Sequence, residues 1–212
     1  MSVDEIFGLS ALGGYILGSI PFGLVLCYLA GYGDIRKIGS GNIGATNVLR
    51  TGNKTLALLT VILDASKAGL AAYVAQKIAS SEAYEFLGLP TTRAALAALI
   101  AGTCAILGHN FPIWLKFKGG KGVASAFGFV LVLTPKIALL ALLIWLIMAV
   151  LFRYSSLSAI TAVLFVPFFT YYFSDDVHTV FYSFIVLLIL VRHHANFVRL
   201  FRGEESKIKF KK

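Results

Sequence analysis

Residues Ile137 to Phe152 read IALLALLIWLIMAVLF, an unbroken run of 16 apolar side chains. A helix needs about 20 mostly apolar residues, with a range of about 17 to 25, to cross the hydrocarbon core of a bilayer. A transmembrane β-strand would alternate polar and apolar residues, and this run does not alternate. The stretch therefore predicts a membrane-spanning helix.

The rest of the chain has the same character, since 58% of its 212 residues are hydrophobic and its mean hydropathy is +0.83. Only 14% are charged, against about 25% in soluble domains. We therefore predict an all-α integral membrane protein, with residues 1–212 forming one transmembrane domain. Seven stretches approach the length of a span: Ile6 to Gly31, Thr55 to Lys77, Thr92 to His109, Val123 to Leu133, Ile137 to Phe152, Leu157 to Phe173 and Thr179 to Arg192. The fourth is short and is expected to recruit part of the loop around Lys121, and five crossings remain possible if two short stretches are re-entrant.

The basic residues fall mainly in alternate connections between these stretches. Cytoplasmic loops carry the excess of Lys and Arg, so this asymmetry predicts orientation. The opposite set of connections holds only Lys77, Arg93 and Lys136. The richer set comprises Arg36, Lys37, Arg50, Lys54, Lys116, Lys118, Lys121, Arg153, Arg192, Arg199, Arg202, Lys207, Lys209, Lys211 and Lys212. The N-terminus is therefore expected outside and the C-terminus in the cytoplasm, which requires an odd number of crossings.

The net charge of +9 is broken into clusters between apolar runs. Nucleic-acid binding requires a continuous basic face, so we expect no nucleic-acid partner. Anionic membrane lipids or a phosphorylated substrate fit the clusters better. Cys27 and Cys104 lie inside apolar runs without paired histidines, so they cannot form a four-ligand zinc site, and we expect no metal and no cofactor.

The first basic loop reads GSGNIGATNVLRTGNK, from Gly39 to Lys54, and contains a literal GxGxxG. A dinucleotide-binding fold needs a preceding strand, whereas a membrane helix is predicted there. Glycine N–H groups can nevertheless approach a phosphate closely. A tight turn with helix caps is the alternative. The candidate phosphate-binding residues of this loop are Ser40, Gly41, Asn42, Gly44, Asn47 and Arg50.

The second basic loop reads GHNFPIWLKFKGGKGVASAFG, from Gly108 to Gly128. Its glycines and lysines precede a predicted helix, whose N-terminus favours an anion. It is not a Walker A motif, because Val123 and Ala124 occupy the positions of the magnesium-binding Ser or Thr. The lysines could instead serve only as topological anchors. The candidate residues are His109, Lys118, Gly119, Gly120, Lys121, Gly122 and Ser125.

Two further groups of polar residues stand out. Asp64 and Lys67 are three residues apart within a predicted span, where a structural ion pair and a substrate-binding role are equally plausible. The last cytoplasmic cluster, Arg192 to Glu205, includes His193, and histidine is the side chain that can act as an acid or base near neutral pH. Its arginines could alternatively snorkel or hold lipid headgroups.

Five blocks in this order resemble the signatures of a known enzyme family. They are GSGNIGATN (Gly39 to Asn47), LDASKAG (Leu63 to Gly69), GHNFP with FKGGKGVA (Gly108 to Ala124), RYSSL (Arg153 to Leu157) and RHHANFVRL (Arg192 to Leu200). The family is that of the bacterial acyl-phosphate:glycerol-3-phosphate acyltransferases, the PlsY family. Ser125 departs from its pattern, which commonly has Thr there.

The resemblance implies transfer of a fatty acyl group from acyl phosphate to the 1-hydroxyl of glycerol 3-phosphate, giving lysophosphatidic acid and phosphate. It places the protein in the bacterial inner membrane with its active site facing the cytoplasm. The chain has no GxSxG motif and no His-x4-Asp pair, so we expect direct attack without an acyl-enzyme. The competing hypothesis is a transporter of an anionic phosphorylated solute.

The hypothesis assigns roles to the candidate residues. Ser40, Asn42, Asn47 and Arg50 would bind one phosphate. Lys121 and the N–H groups of the neighbouring glycines would stabilise the other phosphate and the developing oxyanion. His193 and Asn196 would orient the attacking hydroxyl. The remaining substrate-binding candidates are Asp64, Lys67, His109, Arg153 and Ser156.

Overall fold

The computed structural model describes residues 2–208, most of which are helical. The helices are α1 Val3–Gly18, α2 Phe22–Leu29, α3 Ala45–Val48, α4 Lys54–Ile78, α5 Arg93–Asn110, α6 Val123–Leu133, α7 Pro135–Phe152, α8 Ser155–Phe173, α9 Asp176–Arg192 and α10 His194–Phe201. Strands β1 Ala83–Phe86 and β2 Leu89–Thr92 form an antiparallel hairpin between α4 and α5. Lys209, Lys211 and Lys212, which contributed to the predicted orientation, lie outside the described residues.

Five segments are long and apolar enough to cross a membrane: Val3–Leu29, Lys54–Ile78, Arg93–Leu115, Pro135–Phe152 and Ser155–Phe173. Helices α9 and α10 meet at a bend of 55° and make a sixth if they are one broken span. Helix α6 has only 11 residues. The prediction of an all-helical, multi-pass membrane protein is confirmed, whereas seven crossings and their orientation stay predictions.

Helix boundaries differ from the predicted stretches for local reasons. The first stretch contains two helices, because Pro21 has no N–H to donate and stands between α1 and α2. The fourth stretch does not recruit the Lys121 loop. Helix α6 starts at Val123, directly after Gly122, whose φ of +84° is incompatible with a right-handed helix.

The chain divides into two compact units, unit 1 Met1–Leu133 and unit 2 Thr134–Lys212. In unit 1, α5 packs against α1 and α4, and α4 also packs against α6. Small residues allow this close packing. A β-carbon on Gly18 would collide with the Ala105 carbonyl, and one on Gly128 would collide with the Ala65 carbonyl. In unit 2, α8 packs against both α7 and α9.

Candidate active site

Asn47 holds the first loop together from inside. It is only 1% exposed, and its Nδ2 lies 3.0, 3.1 and 2.8 Å from the carbonyl oxygens of Ile35, Ile38 and Asn42. Its Oδ1 accepts a hydrogen bond from the Ser40 N–H at 3.1 Å. An amide NH2 has two protons, and both are used by backbone carbonyls. The Asn47 donors therefore shape the loop that carries Ser40, and a role of Asn47 in phosphate binding stays a prediction.

Arg50 lies across the same loop, against Gly39. A β-carbon on Gly39 would collide with the Arg50 side chain, and Gly39 has a φ of +55°. Gly41 also has a positive φ, of +69°. The Oδ1 atom of Asn42 accepts a hydrogen bond from the Gly44 N–H at 2.9 Å. The other end of this amide, its NH2 group, is the part that could donate to a phosphate. Arg50, Ser40 and Asn42 thus remain phosphate-binding candidates.

Asp34 neutralises Arg36, a cation just before the first loop. Its carboxylate accepts the Arg36 N–H at the start of a short 3₁₀ turn and pairs with the guanidinium at 2.7 Å. Hydrogen bonds from Arg36 lower the pKa of Asp34 to about 2. Arg36 is therefore already committed to a local ion pair, which distinguishes it from Arg50.

The second loop folds back on the end of α5. The Gly119 N–H donates to the Asn110 carbonyl at 3.1 Å, and the Gly120 N–H donates to the His109 carbonyl at 2.9 Å. These two bonds close the turn that leads to Lys121. Both N–H groups therefore already donate to backbone carbonyls, and phosphate binding by Gly119 and Gly120 stays a prediction.

Two buried polar side chains beside this loop have no hydrogen-bond partner among the described residues. They are Asn110, at both amide atoms, and Ser125, at its Oγ. Asn110 lies against Gly122, where a β-carbon would sit 2.9 Å from Asn110 Oδ1. Buried polar atoms are nearly always hydrogen-bonded, so these atoms are expected to bind ordered water or a ligand. Ser125 is one of the predicted site residues, whereas Asn110 is not. The signal for Asn110 was its position as a polar residue next to His109 at the end of an apolar helix.

Asp64, Lys67 and His109 form one buried network in unit 1. Lys67 Nζ lies 3.0 Å from Asp64 Oδ1, 2.7 Å from His109 Nδ1 and 3.1 Å from the Ile20 carbonyl oxygen. The three residues are 3%, 1% and 5% exposed. Of the two alternatives left open for Asp64 and Lys67, this burial favours the structural ion pair over direct substrate contact.

Glu205 organises the corresponding polar cluster of unit 2. Its Oε1 accepts hydrogen bonds from Ser156 Oγ at 2.6 Å and from Asn196 Nδ2 at 2.7 Å, and its Oε2 accepts one from Arg199 Nε at 2.6 Å. Ser156 and Asn196 were predicted to contact substrate. In the structure the Ser156 hydroxyl and the Asn196 NH2 group both hold the C-terminal segment, and their contact with substrate stays a prediction. The available signal for Glu205 was a carboxylate that follows Arg199 and Arg202 by six and three residues.

Arg153 anchors the same C-terminal segment. Its guanidinium Nε and Nη2 donate to the Ile208 carbonyl at 3.2 and 3.1 Å, and its own carbonyl accepts the Ile208 N–H at 2.6 Å. Its φ of +64° turns the chain between α7 and α8. Arg153, predicted to bind substrate, is therefore bound to the chain's own backbone.

His193 stands at the bend between α9 and α10 and is 2% exposed. Its Nδ1 lies 2.8 Å from the Ile189 carbonyl oxygen. A carbonyl can only accept, so Nδ1 carries the proton and Nε2 is the basic nitrogen of the neutral ring. This arrangement suits a group that accepts a hydrogen bond from a hydroxyl.

The pKa of Glu205 makes the stability of the C-terminal segment pH-dependent. Burial raises this pKa, but hydrogen bonds from Ser156, Arg199 and Asn196 outweigh it and leave the pKa below its ordinary value of 4.5. The ionised Glu205 carboxylate therefore contributes its full stabilisation of the folded protein above about pH 4.5. This contribution is lost as the pH falls through the lower folded-state pKa. We expect the difference in thermal midpoint between wild type and Glu205→Gln to shrink as the pH falls below this value. A difference that stays constant down to pH values near 3 would contradict the lowered pKa.

Thr103, buried in α5, also has a hydroxyl with no hydrogen-bond partner among the described residues. We expect Thr103→Val to raise the free energy of unfolding by about 1 kcal/mol, because it removes a buried hydroxyl without breaking a hydrogen bond. The matched control is Thr60→Val in α4, where the buried hydroxyl donates to the Leu56 carbonyl at 2.7 Å. Thermal unfolding in detergent should show a gain for the first variant and none for the second. Equal shifts would show that the Thr103 hydroxyl is satisfied.

Comparisons with known proteins agree over nearly the whole chain. Residues 8–203 match the family model described as glycerol-3-phosphate acyltransferase. A Rhodospirillum rubrum protein of that name is 51% identical over 207 residues, which are 98% of this chain and 93% of the relative. A Maricaulis maris protein of the same name is 52% identical over 203 residues, which are 96% and 88%.

Two solved structures are also similar to this chain. Both are crystal structures of PlsY (YgiH), an integral membrane glycerol 3-phosphate acyltransferase. The glycerol 3-phosphate form is 35% identical with a TM-score of 0.84, and the comparison covers 96% of each chain. The lysophosphatidic acid form is 34% identical with a TM-score of 0.82, covering 96% of this chain and 95% of the other.

Proposed function

The chain belongs to the glycerol-3-phosphate acyltransferase family, and we propose that its acyl donor is an acyl phosphate. It is an integral membrane enzyme of phospholipid synthesis that acylates glycerol 3-phosphate. In the proposed reaction the 1-hydroxyl oxygen attacks the carbonyl carbon of the acyl phosphate. The bond from that carbon to the phosphate oxygen breaks, which leaves lysophosphatidic acid and inorganic phosphate. Family membership favours this enzyme over the transporter hypothesis.

One observation supports the donor: none of the four histidines is followed five positions later by Asp. A His-x4-Asp pair is the acid/base motif of the acyl-CoA-dependent acyltransferases, so its absence favours the acyl phosphate donor. A nucleophile of the enzyme is not required either, because the carbonyl of an acyl phosphate is already activated. We therefore propose direct transfer without a covalent acyl-enzyme.

We propose that residues of unit 1 bind the two phosphates and stabilise the negative charge that develops in the transition state. Arg50 and the donors of Ser40 and Asn42 bind one phosphate. Lys121 lies two residues before α6, and its ammonium together with the positive end of the helix dipole stabilises the second phosphate and the oxyanion. The closed turn before Lys121 supports this role, because it limits the positions that the ammonium can reach.

In unit 2, the proposed group is His193. Its Nε2 accepts the hydrogen bond of the attacking 1-hydroxyl, because its Nδ1 proton is directed to the Ile189 carbonyl. The hydroxyl proton then passes to this nitrogen or to the departing phosphate. Asn196 acts less directly, since its NH2 group donates to Glu205 and thereby holds the first turn of α10.

We also propose seven crossings in a bacterial inner membrane, with the N-terminus outside and the catalytic loops in the cytoplasm. The distribution of basic residues supports this topology, because 15 of the 19 Lys and Arg residues lie in the set of connections that includes both loops and the C-terminal segment. The count depends on two segments: α6, which is too short to cross alone, and the bent pair α9 and α10, which counts only if it is one broken span.

Purified protein in detergent, given glycerol 3-phosphate and either acyl phosphate or acyl-CoA, tests the proposal. We expect lysophosphatidic acid with acyl phosphate and none with acyl-CoA. Product from acyl-CoA alone would overturn the donor assignment. A radiolabelled acyl chain that stays covalently attached to the protein during turnover would overturn direct transfer.

A further inference from the structure

The Lys67 ammonium links three separate parts of unit 1. It has three N–H donors, and three acceptors surround it: Asp64 Oδ1 on α4, His109 Nδ1 on α5 and the Ile20 carbonyl between α1 and α2. An isolated charge at this depth would be costly, whereas this one is paired and fully hydrogen-bonded. The network is therefore a fixed junction between the first membrane span, α4 and the end of α5.

The junction also fixes the state of the His109 ring. The ammonium can only donate, so His109 Nδ1 is the acceptor and the ring proton lies on Nε2. The Nε2 side of the ring faces Gly120. A β-carbon on Gly120 would collide with Nε2 and would lie 2.7 Å from Cε1, so the ring is in direct contact with this glycine.

The backbone of His109 contacts the loop at the same residue. Its carbonyl accepts the Gly120 N–H at 2.9 Å. Gly120 is thus held from two sides by His109, one residue before Lys121. The exposed fractions of Asp64, Lys67 and His109 are all at or below 5%, so none of the three is placed to touch substrate directly.

We propose that Asp64, Lys67 and His109 are positioning residues that set the location of Lys121 through Gly120. The inference rests on the proposed catalytic role of Lys121. The network fixes the His109 ring. The ring and the backbone carbonyl of His109 fix Gly120, and Gly120 sets the backbone position from which the Lys121 side chain extends. Displacement of a catalytic group by about 1 Å can lower a rate by about a hundredfold, so a buried network that fixes the loop has a direct effect on turnover.

The test is a double-mutant cycle between the network and Lys121. The network variant is Asp64→Leu with Lys67→Met, which removes both charges together and avoids leaving one buried charge unpaired. We expect it to fold, with a similar thermal midpoint, and to lose at least about tenfold in kcat/KM. In a Lys121→Met background the same pair of changes should cause no further loss, because there is no ammonium left to position.

The matched control removes an ion pair at the other end of α5, between Glu82 and Arg93. Glu82→Gln with Arg93→Gln should leave kcat/KM unchanged. If the network variant does not accumulate, the same cycle uses His109→Gln, whose amide can accept from Lys67 but has no ring under Gly120.

Wild-type turnover in the network variant would overturn the inference. So would a loss that is equally large in the Lys121→Met background, since that is the behaviour of residues that only support the fold. Failure of the proposed function is distinguishable, because Lys121→Met alone would then retain activity.

Discussion

Lys121→Met is expected to lower kcat/KM by about two to three orders of magnitude, the range found when a donor to a developing oxyanion is removed. Methionine keeps the length of the side chain and removes its charge. The reaction produces phosphate and passes through a negatively charged oxygen, so the ammonium stabilises the transition state more than the substrates. Turnover of acyl phosphate and glycerol 3-phosphate by the purified variant measures the effect.

The matched control is Lys116→Met in the same connection. Lys116 is exposed and ends the short 3₁₀ turn Ile113–Leu115. If the lysines served only to anchor the cytoplasmic side, both variants would behave alike, because each removes one positive charge from the same loop. Activity near that of wild type in Lys121→Met would show that the site has been misplaced. An equal loss in both variants would support the anchoring role.

Glu205→Gln is expected to lower the free energy of unfolding by about 2 kcal/mol, because three hydrogen bonds lose their ionised acceptor and Arg199 loses its ion pair. The thermal midpoint should fall by about 4 to 8 °C for a chain of this size. The C-terminal segment should also become accessible, so limited trypsin digestion should cut at Lys207 faster than in the wild type.

Glu204→Gln provides the control for this prediction. Glu204 is the preceding residue and is exposed, and its N–H rather than its carboxylate contributes a hydrogen bond, to the Arg199 carbonyl. The same change of charge should therefore leave stability and digestion unaltered. Equal destabilisation by both variants would mean that net charge, and not the geometry around Glu205, holds the segment.

Several parts of the fold followed from local sequence alone. The run from Ile137 to Phe152 corresponds to α7, which ends at the same residue, because length and apolarity decide whether a helix can lie in a bilayer. The predicted stretch Val123 to Leu133 coincides with α6, but its expected extension into the Lys121 loop does not occur, because the positive φ of Gly122 depends on contacts that apolarity does not encode. The break at Pro21 was missed, since the apolar character of the chain continues across it.

The roles of the candidate site residues also depend on tertiary contacts that local sequence does not encode. Asn47, Ser156 and Asn196 are polar residues in glycine-rich or basic loops, which is what a phosphate site and a loop-stabilising site both require. Motif and composition could not separate the two. The acceptors that surround each side chain in the structure favour loop stabilisation, because each donor is already bonded to a carbonyl or to Glu205.

The glycine-rich basic loops, the apolar helices and the reaction class could be inferred from the sequence by itself, because each is a property of residues close together in the chain. The tertiary structure alone decided what lies beneath those loops. Lys67 and His109 are 42 residues apart, yet their nitrogens lie 2.7 Å from each other under Gly120. A buried charge must find its partners wherever the packed helices bring them, so the residues that hold Lys121 in place became identifiable only when α4 and α5 were seen side by side.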